Sequence, residues 1–448
     1  MTISKIKKVW IKVPISRDFK KRIFPLIPQI MEKFSLGRGR LTPSEVGFYH
    51  LSQGAHIYDE RGLIETISRM KEVFFSTYPG NNFFAVKACP NVKILEIIVK
   101  TGFGLDCASP TEIYRAKLAG ADSRKIMYTS NNTELDFFKV AMEEGCIINL
   151  DDISYLQKLS KIPEAICFRY NPGEIRAEGT NSIIGNPPNQ KYGVRDDQVV
   201  EAYTLAKEMG SKKFGIHTMY TSNCRDYKVF VGNARMQLEV IERVQKEVGI
   251  KFDFFNIGGG LGIPYHPDHE SLDIEAMADG INAEMRRFKE RNGYVPLLYM
   301  ESGRYVMGPN GILVGKVINI MEKYKKFIGV NFCDGADILR AGIYPAYHEV
   351  SVITPGGEEK TCSEGNMEKV SIVGPLCENI HMVSDRDLPI IEEEDYIAIH
   401  DTGAHGIAMG MNYNGWGKSQ ELLMRLDNSV ERIGRPQTIG DLLACETP

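Results

Sequence analysis

No stretch of this chain approaches the roughly 20 consecutive apolar residues that a membrane-crossing helix needs. The basic N-terminal run "MTISKIKKVWIKVPISRDFKK" lacks the apolar centre of a secretory signal. An excess of charge of one sign is missing too. Against 58 acidic residues stand 54 basic ones, a net of −4, so neither a nucleic acid nor an anionic membrane is implied as a partner. Cysteine is sparse: nine residues, scattered, odd in number and without a CxxC pair. That argues against a disulfide framework or a zinc site and fits a reducing, cytoplasmic setting. Internal repeats and low-complexity segments are also missing. What remains is an ordinary globular balance, 43% hydrophobic and 25% charged. At 448 residues the chain is too long for one ordinary core and predicts two domains.

From Asn81 onward, short runs rich in β-branched and aromatic residues alternate with amphipathic stretches. The runs are "FFAVKA", "FGLDCAS", "KIMYTS", "CIINLD", "AICFRYN", "KFGIHTM", "FDFFNIGGG" and "PLLYMESG". Between them lie helix patterns such as "NVKILEIIVKTG" and "SPTEIYRAKLAG". The latter opens with Ser109 as N-cap, Pro110 at the first helical position and Glu112 at the capping-box position. Eight β–α units over about 220 residues predict a closed (β/α)8 barrel, with an open doubly wound sheet as the competing architecture. After Gly303 the rhythm changes. "GILVGKVINIMEKYKKFIGVNF", "AYHEVSVITP", "EKVSIVGPL" and "DYIAIHD" alternate like antiparallel strands, with "GADI" and "PGGEE" as turns. Residues 1–51 precede the first barrel strand and are expected to pack partly on this second, β-rich domain.

A (β/α)8 barrel builds its site at the C-terminal ends of its strands, and polar residues cluster just there. Lys87 ends the first run, Asp106 the second, and Ser130, Asn131 and Asn132 follow the third; Arg169 and Asn171 close the fifth. His217, Tyr220 and Ser222 follow the sixth, Gly258, Gly259 and Gly260 the seventh, and Glu301, Gly303 and Arg304 the eighth. Each has a plain reading as well as a chemical one. Lys87 is either a strand-end lysine reaching for water or a buried amine of lowered pKa suited to imine formation. The glycines are either a turn or a nest whose N–H groups hold a phosphate. Glu301 is either a strand-end charge or a carboxylate partner for a pyridinium nitrogen, and Arg304 an anion anchor. Together the four describe a pyridoxal-phosphate site.

These residues resemble the fold-type III pyridoxal-phosphate-dependent amino-acid decarboxylases, and most closely the diaminopimelate decarboxylase branch. The resemblance runs from about Gly54 to Glu421 and is carried by "FFAVKACPN", "FGLDCASPTEI", "FNIGGGLGIPY", "MESGRYVMGPNG", "DILRAGIYPAYHEV", "VGPLCENIH" and "GAHGIAMGMNYNG". It implies an alanine-racemase-like barrel over residues 46–308. The remainder, residues 1–45 and 309–448, is then an antiparallel β domain. By the same resemblance Lys87 holds the cofactor covalently. Asp106, His217, Ser222, Gly258, Gly259, Gly260, Gly303, His405 and Tyr413 contact the cofactor, and Glu301 pairs with its ring nitrogen. Arg304 and Arg340 hold anionic groups, and Tyr344 adds a hydroxyl. Cys377 and Glu378 come from a second subunit, so the site is expected at a homodimer interface, with Cys377 a catalytic residue and Glu378 a substrate contact.

Charge selects the branch. Diaminopimelate has a zwitterionic distal end that asks for a carboxylate and a guanidinium, and Glu378 with Arg340 and Tyr344 offers both; the plain alternative is that Arg340 and Tyr344 only pack the β domain. The expected reaction is therefore decarboxylation of meso-diaminopimelate to L-lysine. Carboxynorspermidine, ornithine, arginine or carrier-bound amino acids are the alternative substrates, and an alanine-racemase-like or non-catalytic homologue the more distant readings. Two positions depart from the family pattern: Met219 stands where a stacking histidine is usual, and His405 where a tyrosine is. Ser302 also replaces a proline in the glutamate–arginine strand.

Overall fold

The computed structural model describes residues 17–35, 50–159, 161–173, 187–344, 346–363 and 365–446. Residues 1–16 and 36–49 of the expected N-terminal packing segment lie outside the described residues. All eight runs become barrel strands: β2 (Gly80–Ala85), β3 (Gly104–Cys107), β4 (Ile126–Ser130), β5 (Ile147–Leu150), β6 (Ala165–Asn171), β8 (Lys213–His217), β9 (Phe254–Asn256) and β10 (Leu297–Met300). They pair in parallel, and β10 returns to β2 through Leu298↔Gly80, which closes the ring. A two-residue strand, β7 (Val194–Arg195), extends β6 outside it. Phe83, Met127, Cys167 and Phe254 fill the interior as one cluster. They come from alternate strands of the ring, the layered filling such a barrel requires.

Helices on the outside start where local chemistry caps them. Asp59 caps Glu60–Phe75, Asn91 caps Val92–Lys100, Asp226 caps Tyr227–Val248 and Asp273 caps Ile274–Asn292, each accepting a first-turn N–H. At Pro110–Leu118, Ser109 accepts the Glu112 N–H at 3.3 Å, but the Glu112 carboxylate reaches back to the Ala108 N–H at 2.7 Å, one residue short of a standard box.

The second sheet combines β1 (Ala55–Asp59) with β11 (Gly311–Glu322), β12 (Lys326–Val330), β13 (Val350–Ile353), β14 (Met367–Val373), β15 (Val383–Pro389), β16 (Tyr396–Ile399), β17 (Gln420–Met424) and β18 (Val430–Gly434). Most pairs are antiparallel, while β1–β17 and β12–β14 run parallel. The expected boundary at residue 46 needs correction, because β1 belongs to this sheet, between β11 and β17. All five of its residues are buried, so it shows no alternation, and its partners lie hundreds of positions away. "GADI" is likewise not a β-turn: Asp334–Asp337 form a single helical turn.

Candidate active site

β2 ends at Ala85, and the turn Val86–Ala88 carries Lys87 over the barrel rim. Val86, Ala88 and Cys89 are buried, and burial pushes the Cys89 thiol up to about 12, a packing role. The reading of Lys87 as a buried amine is corrected here. The turn rotates this one residue outward, and its side chain is exposed in the barrel mouth. Its charge acts on Asp106, Glu112 and Glu301.

Glu301, just past β10, is the hub. His217, ending β8, donates Nε2–H to its Oε2 at 3.1 Å, and Asn256, ending β9, donates Nδ2–H to its Oε1 at 2.7 Å. Burial works against the Glu301 charge, yet His217, Lys87 and the Asn256 amide outweigh it and hold the carboxyl below its ordinary value. Asp106, ending β3, goes the other way. Burial first, then the Glu301 charge, push it well above the usual carboxylate range despite Lys87. Two carboxyls in one mouth are thus driven apart, Glu301 toward its charged form and Asp106 toward its neutral one. Asp106 Oδ1 and His217 Nδ1 are buried with no hydrogen-bond partner among the described residues.

The glycine loop follows Asn256, whose Oδ1 accepts the Gly258 N–H at 2.9 Å. Gly258 and Gly260 have φ of 72° and 88°, left-handed values that favour glycine. A Cβ at Gly258, Gly259 or Gly260 would lie 2.6, 2.5 or 2.2 Å from the carbonyl oxygens of Thr218, Glu301 and Thr221. The loop therefore lies backbone-to-backbone on the segment after β8, which brings Met219 and Ser222 to it, and the Cys224 N–H donates to the Gly260 carbonyl at 2.9 Å. Gly303 packs as closely on Ala85 and Ala88, below Lys87.

Across the mouth lies a cationic cluster. Arg304 donates to the Tyr265 hydroxyl at 2.7 Å, and the Arg340 guanidinium stands 4.3 Å from the centre of the same ring. Arg340 is buried and donates to His348 Nε2 at 2.9 Å, while His348 Nδ1–H donates to the His400 carbonyl at 2.7 Å. Burial, then the Arg340 charge, bring His348 down to about 3, so it is neutral. Burial also lowers Arg340, whose Nε has no hydrogen-bond partner among the described residues. Tyr344, following Arg340, is largely exposed. His405 ties the groups together. Its N–H donates to the Ala88 carbonyl at 2.9 Å, and burial, with the charges of Arg304, Lys87 and Arg340, holds its imidazole well below 6.5. Cys377, Glu378 and Tyr413 form a second group around one another. Cys377 N–H donates to Asn414 Oδ1 at 3.1 Å, and the Tyr413 hydroxyl is raised by Cys377 and then Glu378.

Asn256, Tyr265 and His348 were not singled out from the sequence. Asn256 left a signal, a lone amide closing the apolar run "FDFF"; the other two act through residues distant in the chain.

With that geometry in view, residues 61–308 match the model of the pyridoxal-dependent decarboxylase pyridoxal-binding domain, and residues 304–403 the C-terminal sheet domain. The chain belongs to the pyridoxal-dependent decarboxylases. It is 36% identical to Protein TabA of Pseudomonas amygdali pv. tabaci over 96% of this chain and 95% of that protein. It is 34% identical to the diaminopimelate decarboxylase of Methanothermobacter thermautotrophicus over 87% of this chain and 90% of that one. The crystal structure of M. jannaschii diaminopimelate decarboxylase in complex with L-lysine superposes with a TM-score of 0.81 at 27% identity, covering 94% of each chain. The enzyme is a carboxy-lyase of fold type III, and its cofactor is pyridoxal 5′-phosphate.

The mouth of this decarboxylase fits that cofactor. Glycines whose Cβ positions are filled by neighbouring backbone let this loop take the left-handed turns in which backbone N–H groups can face a phosphate. An ionised, buried Glu301 suits a ring nitrogen, and the unpartnered Asp106 Oδ1 and His217 Nδ1 are polar atoms left to face a ligand. Lys87 is free of the barrel wall beside them.

Proposed function

We propose that the enzyme decarboxylates meso-2,6-diaminopimelate to L-lysine as a cytosolic homodimer. One observation carries the substrate: Arg340 is a buried guanidinium whose contacts are a neutral imidazole and a tyrosine face. Its Nε is unpartnered, and no carboxylate forms an ion pair with it among the described residues. A buried cation left in this state awaits an anion. A distal carboxylate, which diaminopimelate has and ornithine lacks, fits it. Lysine-bound relatives support the same reading. Its cysteines, all unbridged, fit a reducing compartment.

In this reading the Lys87 amine, exposed in the barrel mouth, would hold the cofactor. Gly258–Gly260 with Ser222 and His405 would hold its phosphate, and the Met219 thioether would offer the ring an apolar contact. When bound, pyridoxal phosphate supplies a ring that accepts the electron pair released as the carboxylate leaves. Glu301 keeps the ring nitrogen protonated, and His217 and Asn256 keep Glu301 ionised and aimed. Arg340 and Tyr344 hold the distal carboxylate, Glu378 of the partner subunit the distal amine, and Arg304 an anionic group beside them. Lys87 or Cys377 of the partner subunit then returns a proton to Cα. The departures at Met219 and His405, and the 36% identity to Protein TabA, favour a second reading, decarboxylation of a related amino acid by the same machinery.

Incubation with meso-diaminopimelate and pyridoxal phosphate should release CO₂ and L-lysine in equal amounts. Lys87→Ala should lose both the turnover and the visible absorbance of the held cofactor. Carbon dioxide from a different amino acid, but none from diaminopimelate, would move the assignment to the second reading.

A further inference from the structure

The barrel has a second opening. A cavity of about 870 Å³ lies at the end opposite Lys87, where the strands begin. Ile147, Ala165, Lys213, Phe254 and Leu297, which line it, are the first residues of β5, β6, β8, β9 and β10. Its floor is the lowest layer of the barrel interior. There the Phe254 and Tyr299 rings stack with centroids 4.6 Å apart, and Phe83 backs Tyr299 at 4.8 Å. Ile147, Leu297 and Tyr299 pack against the interior cluster yet are only partly buried, so an apolar floor is left facing water. Tyr299 makes no side-chain hydrogen bond among the described residues. The rim is cationic. Arg124, Lys139, Lys161, Lys212 and Lys213 stand against Glu143, Glu164 and Asp253, an excess of two positive charges in a chain whose net charge is −4. Glu164 is taken by Lys213 at 3.0 Å, Arg124 pairs with Asp122 outside the rim, and Asp253 Oδ2 accepts the Phe214 N–H at 2.9 Å. Lys139, Lys161 and Lys212 form no ion pair among the described residues, and all three are exposed.

We propose that this N-terminal opening is a second ligand site, separate from the active-site mouth, that takes a small carboxylate with an apolar body. The body lies on Phe254, Leu297 and Tyr299, where burying it removes two apolar surfaces from water at once. The carboxylate points outward to Lys139, Lys161 and Lys212, whose charges converge over a low-dielectric floor that concentrates their field. A wholly apolar ligand leaves that field unused, and a cationic one is repelled by it. Occupancy is independent of which amino acid the active-site mouth decarboxylates.

Calorimetry on the holoenzyme with straight-chain carboxylates from butyrate to octanoate tests this. Octanoate should bind once per chain, and affinity should climb by up to about fourfold for each added methylene. Octylammonium, the same body with the opposite charge, should bind at least about tenfold more weakly. Replacing the three unpaired lysines together (Lys139→Gln, Lys161→Gln and Lys212→Gln) should weaken octanoate about tenfold. Removing the same charge elsewhere, with Lys228→Gln, Lys246→Gln and Lys323→Gln, should leave its affinity at the wild-type value, and so should Arg340→Gln in the active-site mouth. Absence of octanoate binding at millimolar concentration would overturn the proposal, as would an affinity flat in chain length. Equal weakening in the two lysine triples would reduce the effect to bulk charge and overturn it too. Weakening in Arg340→Gln in place of the first triple would move the ligand to the active-site mouth, with the same consequence. If the first triple does not fold, Lys161→Gln alone decides, with an expected loss of about twofold.

Discussion

Arg340 keeps its charge inside the protein while His348 stays neutral and offers it a lone pair. This has a pH consequence with a definite sign. His348 titrates at about 3 when folded, against an ordinary value of 6.5. Between those values the unfolded chain binds a proton that the folded chain excludes, so stability from this site falls as the pH drops below 6.5, by about 1.4 kcal/mol per pH unit at most. Asp401 opposes it. Burial raises its carboxyl from 3.8 to about 7, so there the folded chain holds the extra proton and acidification stabilises. His348→Gln keeps an acceptor but cannot protonate. It should change the slope of stability against pH by close to one proton, toward greater stability in acid, read by urea unfolding between about pH 6.5 and about pH 5; a slope equal to the wild type's would mean His348 is not excluded from protonation. At this scale the sequence was readable where a residue's meaning depends on its own strand. Lys87, Glu301 and Arg304 each sit directly after an apolar run. Tyr265 and His348 gain their roles from neighbours 39 and 8 positions away, which no local pattern records. Of the two readings of Lys87, the structure takes the exposed one, because a one-turn twist after β2 turns it out of the apolar run around it.

Among elements, the glycine loop is the one whose backbone geometry does chemical work. At Gly260, φ of 88° and a Thr221 carbonyl 2.2 Å from any Cβ act together. Gly260→Ala should cost roughly 1–3 kcal/mol from the strained backbone alone, seen as a lower urea midpoint, and should release cofactor on dialysis faster than the wild type. An alanine variant that holds cofactor equally well would remove the loop from the phosphate site. The barrel strands were legible because each is a short apolar run set off by capped helices. β1 was not, since burial on both faces erases alternation and its partners come from the far end of the chain. "GADI" reads locally as a turn, but its helical turn is set by tertiary contacts: Asp337 accepts from the Ser419 N–H and hydroxyl, both at 2.8 Å.

For the molecule as a whole, the grouping of Cys377, Glu378 and Tyr413 around one another bears on assembly. A homodimer that lends Cys377 across its interface makes a complementation prediction. If Cys377 supplies the returning proton, Lys87→Ala and Cys377→Ala chains, each inactive, should regain about a quarter of wild-type activity after mixed refolding, because half the dimers are hybrids with one intact site. No recovery would place both residues in one chain's site.

The same long-range pairing that hid β1 from the sequence governs how the protein is made. A ribosome releases Ala55–Asp59 first and must add the whole barrel before β11 begins at Gly311, with β17 later still at Gln420. At bacterial elongation rates that wait is on the order of 10–50 s. A buried-in-the-end strand spends it without partners while the barrel is free to close behind it. The yield of folded enzyme should therefore rise with slower translation or added chaperone even where the stability of the finished enzyme is unchanged.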